Sequence, residues 1–346
     1  MSTTEFLTTE KKQMTLENAY QHAVAIQSMC EDYMVEDVTN RNCYYNADFN
    51  GLQFTTESDT RHMLPLTSHA LGQLCNKMGV PVRYVTKCIE QGMPDLAADN
   101  INAWLDEYHK NLFIRGYNDT ARGILSDKFA VMDAPEVIEV LTDSFSENKW
   151  AVRGLLVNEE RLHMRVVQKK MLNIAGEDLF AGVTIDSSDV GRSTLSVRFF
   201  IYKQVCKNGM CIAESMGDIY TQRHVGLTQN EFRTELTENL SRVPMITEGV
   251  IEAIKDANNY DKALVDFNTF NEKKQEHFVS RIRALTRLPE DGVAKVIDTM
   301  YNNYSVSRWG FINAVTEVAQ DYTLERRIEL ETAAGKLLFN GNLLVA

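Results

Sequence analysis

The chain is poor in the residues that staple or punctuate small secreted folds. It has six prolines and six cysteines, the latter at 30, 43, 75, 88, 206 and 211, and no two cysteines stand in C-x-x-C spacing. A disulfide framework and a zinc site are therefore not expected, and the thiols read as reduced. No run approaches the ~20 consecutive apolar residues that span a bilayer. The start, Met1-Ser2-Thr3-Thr4-Glu5, has no basic stretch followed by an apolar one, so no secretory signal is read. These absences point to a cytoplasmic protein with no membrane partner. Also missing are a Walker A loop, a G-x-S-x-G elbow and a glycine fingerprint after a strand, which disfavours P-loop ATPases, lipases and simple NAD enzymes. The seven histidines, at 22, 62, 69, 109, 163, 224 and 277, include no H-E-x-x-H pair. No metal and no cofactor is expected.

What is present is a chain of 346 residues, 44% apolar and 24% charged, long enough to bury a large core without staples. Basic residues are in deficit, giving a net charge of −12, and the deficit is local. Residues 1–150 carry 12 Lys/Arg against 22 Asp/Glu, whereas 151–250 carry 12 of each. A basic groove on the middle of the chain is thus compatible with an acidic whole.

Periodicity divides the chain in three. Helices are expected over 16–33, 68–78, 81–91 and 95–110, with Gly79 and Gly92 as stops and irregular aromatic sequence between 42 and 57. The period then falls to about two. Strands are expected at 112–117, 120–129, 150–157, 161–168, 179–186 and 195–206, interrupted by a helix at 135–145. The last strand is expected to turn through Lys207-Asn208-Gly209 into 210–213. Beyond Thr228, whose spacing to Glu231 fits a capping box, helices are expected near 229–242, 245–256, 271–287, 290–303, 307–320 and 324–339. The expected architecture is α+β: a helical region 1–110, an antiparallel sheet core 111–227 and a helical region 228–346, within one continuous domain or as separate units.

The hairpins concentrate cations among aromatics. Arg115 and Arg122 share one hairpin; Arg198, Lys203 and Lys207 run along another with Phe199, Phe200 and Tyr202, and Tyr220 and Arg223 follow. Guanidinium and ammonium groups neutralise phosphates and aromatic faces stack on unpaired bases, although strand alternation puts half of those rings in a core. Arg223-His224 precedes a capped helix, where an anion could be held. An ion-paired Arg and a backbone-bonded His fit that dipeptide equally well.

The run Arg122-Gly123-Ile124-Leu125-Ser126-Asp127-Lys128-Phe129, then Val205-Cys206-Lys207-Asn208-Gly209-Met210, Arg223-His224 and Trp309-Gly310-Phe311-Ile312-Asn313-Ala314-Val315-Thr316-Glu317, resembles the phage- and plasmid-borne domain-of-unknown-function family numbered nine hundred thirty-two. Leu74–Tyr84 resembles that family's N-terminal helical segment, and the likeness spans roughly residues 60–325. It implies a mobile-element origin, a cytoplasmic location and no settled activity. The family's recurring polar positions fall on Arg122, Ser126, Asp127, Asn208, Arg223, His224, Asn313 and Thr316. Lys128-Phe129 departs from an Arg-Tyr type pair common there.

Three functions are compatible with these features. The first is single-stranded DNA binding or annealing in recombination or replication, with phosphates held by Arg115, Arg122, Arg198, Lys203, Lys207 and Arg223 and bases stacked on Tyr202 and Tyr220. The second is an enzyme acting on a nucleotide or nucleic acid, with Arg122, Asp127, Asn208 and His224 meeting in a cleft. The third is an interaction protein whose acidic N-terminal block engages a host protein. A homo-oligomer is compatible with each.

Overall fold

The computed structural model describes residues 14–146, 148–174, 176–203, 208–212, 220–224, 226, 228–259 and 267–339, with the backbone alone at 202, 203, 208–212, 229, 324 and 325. The architecture is α+β. Helix α1 (Leu16–Gln27) starts on Thr15, whose hydroxyl accepts from Asn18 N, and buries Leu16, Ala19 and Ala23. It stops six residues short of its expected end, because Cys30–Val35 forms strand β1. Pairing with a distant strand overrides local helical preference there.

Strands β2 (Cys43–Asn46), β3 (Gly51–Thr55) and β4 (Arg61–Pro65) build an antiparallel meander from the aromatic stretch. Helices α2 (Ser68–Met78), α3 (Val82–Glu90) and α4 (Pro94–Asp106) follow close to expectation. Gly79 ends α2 at φ 67°, a left-handed conformation that suits glycine. Strands β5 (Leu112–Tyr117) and β6 (Thr120–Leu125) are joined by Asn118 and Asp119, both at positive φ as a two-residue I′ hairpin requires. Together with β1 they form a sheet of order β1-β5-β6.

After α5 (Ala134–Ser144) come β7 (Trp150–Val157), β8 (Leu162–Gln168), β9 (Leu172–Ile174), β10 (Glu177–Ser187), β11 (Leu195–Lys203), β12 (Asn208–Ile212) and β13 (Tyr220–Gln222). They make a seven-stranded sheet along the path β12-β11-β10-β8-β7, with β9 on β10 and β13 on β11. Asn208 and Gly209 pair with Lys203 and Tyr202 inside this sheet, so the expected turn pair is strand instead. Lys207 lies outside the described residues.

Helices α6 (Gln229–Leu240), α7 (Val243–Asn258), α8 (Glu272–Thr286), α9 (Glu290–Asn303), α10 (Arg308–Val318) and α11 (Leu324–Phe339) complete the described chain. The Thr228–Glu231 capping box is formed. One core gathers apolar residues between Val35 and Ile124, and a larger one joins α1, α5, the large sheet and the C-terminal helices. No helix among the described residues is long and apolar enough to cross a membrane.

Strand alternation gives the large sheet two unlike faces. Leu179, Ala181, Val183 and Ile185 of β10 enter the larger core. Their alternates Phe180, Gly182, Thr184 and Asp186 therefore lie on the opposite face. In register on that face stand the rows Val167–Gly182–Phe200, Arg165–Thr184–Arg198 and His163–Asp186–Ser196.

Candidate functional site

Two connected networks of charge occupy the ends of these strands. The first joins the small sheet to the large one. Arg115, on β5, is fully buried. Its Nε donates to Asp32 Oδ1 at 2.9 Å and its Nη2 to Asp32 Oδ2 at 3.0 Å. Nη1 donates to Asp133 Oδ1 at 2.8 Å and to the Asp189 backbone oxygen at 3.1 Å, while Nη2 reaches Asp133 Oδ2 at 3.2 Å. All five guanidinium N–H donors are thereby satisfied. Burial alone would lower the Arg115 pKa, but the bonds to Asp133 and Asp32 outweigh it and hold the group above its ordinary value. Gln27, the last residue of α1, donates to Asp133 at 2.7 Å and ties the helix to the same centre.

Arg122, on β6, is also buried. Its Nη1 lies 2.8 Å from the Asp189 carboxylate and also donates to the Glu159 backbone oxygen, and its Nε reaches Gly116 O at 3.3 Å. Burial pushes the Asp189 carboxyl up, against the pull of Arg122 and Arg115. Arg122 Nη2 has no partner, nor does Ser187 Oγ. Both residues line a cavity of about 10 Å³ with Cys30, Asn158 and Arg161. That is room for about one water. Burial raises the Cys30 thiol, which favours the unreactive protonated form.

Arg161 leads into the second network, on the outer face of the large sheet. The hub is Asp186. Its Oδ1 accepts from Arg161 Nη2 at 3.1 Å and from His163 Nδ1 at 2.8 Å, and its Oδ2 accepts from Arg198 Nη2. Burial would raise this carboxyl. The His163 bond and the charges of His163, Arg198 and Arg161 prevail and hold it well below the usual carboxylate range. An ionised carboxylate only accepts, so Nδ1 of His163 carries a proton and, in the neutral ring, Nε2 keeps the lone pair. One row away, Arg165 donates to Glu331 of α11 at 2.6 Å and lies over the Phe200 ring. Between Arg165 and Arg198 sits Thr184, fully buried, with its hydroxyl unpartnered, and Arg198 Nε is unpartnered as well. The Arg161 and Arg198 side chains remain 29% and 18% exposed, so the network has a solvent rim.

The residues singled out from sequence fall into three groups. Arg115, Arg122 and Arg198 are all engaged by carboxylates rather than free along a groove. Arg115 is corrected outright as a phosphate contact, because no N–H of its guanidinium remains. Tyr220 is likewise no stacking platform: it is buried, and its hydroxyl donates to Glu235 at 3.3 Å. Arg223 is exposed. The side chains of Tyr202, Lys203 and Asn208 lie outside the described residues.

Of the proposed cleft of Arg122, Asp127, Asn208 and His224, the Asn208 side chain lies outside the described residues, and no hydrogen bond joins the other three. Asp127 is exposed and accepts from Asn111 at 3.2 Å. His224 is buried, its ring stacks on Phe129 at 5.0 Å, and its Nδ1 lies 3.3 Å from Ala130 O. Of the other family positions, Asn313 and Thr316 are buried in α10, where the Thr316 hydroxyl donates to Asn313 O at 2.9 Å.

Sequence reading missed Arg161, His163, Thr184, Asp186 and Asp189. A signal existed for three of them: His163 on β8, and Thr184 and Asp186 on β10, are polar alternates in otherwise apolar strands, which marks a second face with polar business. No group of His, Cys, Asp and Glu able to hold a metal ion occurs among the described residues. No curated protein and no solved structure matches the chain. The model of the family described as domain of unknown function (DUF932) matches residues 121–337, which contain Arg122, Asp133, Asp189 and the whole outer-face network, and the chain belongs to that family.

Proposed function

We propose that this chain recognises the phosphate of a nucleotide or of a single-stranded nucleic acid on the outer face of the large sheet. One observation carries the reading: Thr184 Oγ1 and Arg198 Nε, buried donors facing each other across the β10–β11 register, have no acceptor. A buried unsatisfied group costs about 1–3 kcal/mol. Phosphate offers acceptor oxygens and negative charge, the complement of a hydroxyl set between two arginines. Of the cations expected from sequence, Arg198 is the one this reading keeps, with Arg161 beside it at the rim. The Arg122–Ser187 cavity suits a water and is not part of the proposal.

Thr184→Val and Arg198→Ala test the reading. Valine keeps the volume of threonine and removes an unsatisfied hydroxyl, so Thr184→Val should leave the thermal midpoint unchanged or raise it. Binding of a 5′-nucleotide or a short single strand, followed by calorimetry, should weaken at least threefold with Thr184→Val and at least tenfold with Arg198→Ala. If one phosphate is neutralised on a single strand, log affinity should fall with log salt at a slope of roughly −0.7. Absence of binding by the wild-type chain to both ligands rejects the proposal, as does unaltered binding by both variants.

A further inference from the structure

The outer-face network holds more than an anion site needs. A phosphate would be served by Arg161, Arg198 and Thr184. The geometry adds an imidazole whose Nδ1 is pinned 2.8 Å from Asp186, itself fixed by two guanidinium groups. A carboxylate that orients a histidine through Nδ1 leaves Nε2 as a directed proton acceptor. His163 and Thr184 sit on the same sheet face, one row and one strand apart.

Resting on the phosphate reading above, we infer that the chain hydrolyses phosphate esters, with His163 as the proton acceptor for the attacking water. Water donates one proton to His163 Nε2 while its oxygen forms the new bond to phosphorus. The bond from phosphorus to the ester oxygen breaks, and that oxygen leaves with the electron pair. It takes a proton from the imidazolium or from bulk water, so that ester plus water gives alcohol plus phosphate. Arg161 and Arg198 would offset charge gathering on the phosphoryl oxygens. Asp186 touches neither water nor phosphorus and is a positioning residue.

Charged groups surround the ring. Asp186 faces it from β10, Arg161 just precedes its strand and Arg165 follows on it, Arg198 approaches from β11 through Asp186, and Glu331 of α11 meets Arg165. Leu156 is the position opposite on β7 and does not titrate.

The experiment uses the full chain with 4-nitrophenyl phosphate and bis(4-nitrophenyl) phosphate, whose leaving group needs no proton and is read by absorbance, at pH 5–9. Nucleotide binding is measured in parallel. Wild-type chain should release nitrophenolate from at least one ester. His163→Gln should lose at least a hundredfold in kcat while still binding nucleotide. Asp186→Asn should lower kcat more than it raises KM. If His163→Gln does not fold, Asp186→Asn decides, because a kcat within twofold of wild type overturns the assignment. No release from either ester by wild type, or a His163→Gln rate within twofold of wild type, also overturns it. Retained nucleotide binding in those cases leaves the phosphate reading standing, and loss of both ends both.

Discussion

Arg115 contributes to the fold rather than to a surface. Three aspartates from separate parts of the chain converge on it, and it is separated from Asp32, Asp133 and Asp189 by 83, 18 and 74 residues. Removing one member of a buried ionic group strands the others, at a cost of about 3–5 kcal/mol. Arg115→Ala should lose roughly that much in urea unfolding, whereas Lys149→Ala, an exposed change, should stay within about 0.5 kcal/mol. His224 makes a pH prediction at the same scale. Burial lowers its pKa in the fold, so the unfolded chain takes up a proton first as pH falls through about 6.5. The fold loses stability from that pH down to the depressed native value. His224→Phe, which keeps a ring against Phe129, should flatten the thermal midpoint between pH 6.5 and 5 relative to wild type. Sequence could mark Arg115 and Arg122 as strand cations. It could not show that their partners are aspartates from distant segments, because pairing at such separation leaves no local periodicity.

Elements were far more legible than contacts. Helices α2, α5 and α8–α11 follow from apolar spacing and caps, and the I′ hairpin of β5 and β6 follows from Asn118-Asp119. Two failures share a cause. The spacing extends a helix through Cys30–Tyr33 and puts a turn at Asn208-Gly209, and in both places pairing with a strand far away or already formed decides the conformation. The outer-face polar network is not legible in the sequence because His163 and Asp186 are each ordinary alone and gain significance only across the β8–β10 register. Gly182 marks how tightly that face is built. A Cβ there would stand 2.5 Å from the Phe200 ring and 2.7 Å from the Val166 backbone oxygen. Gly182→Ala should cost about 1–3 kcal/mol by chemical denaturation, or more if the Phe200 ring cannot move. Phe200→Leu in the same chain should recover part of that loss, since the leucine frees the space over residue 182.

For the whole molecule, net charge misled about location. The acidity of residues 1–150 suggests a surface that engages a host protein. Part of it is interior: Asp133 is buried against Arg115, and Asp32, itself exposed, caps the same buried guanidinium from the rim. An electrostatic account of this chain therefore starts from its buried pairs, where screening by salt is weak. Thermal stability measured between 50 and 500 mM salt should shift little, and a fall of more than about 10 °C would mean that exposed pairs dominate.

The pairing of Val35 with Leu112 carries a kinetic corollary. The chain departs from β1 and comes back directly opposite its point of exit, so residues 36–111 are an excursion, clasped at its base by two neighbouring strands. Closing so long a loop before anything inside it has ordered would cost ~4 kcal/mol beyond the constant term. The meander and helices α2–α4 carry most of a core of their own and can bring the two ends together. Pulse-labelled hydrogen exchange during refolding should thus find amides of α2 and α4 protected before those of β1. The clasp, with Asp32 docking on Arg115, then marks the moment when the N-terminal half locks onto the rest.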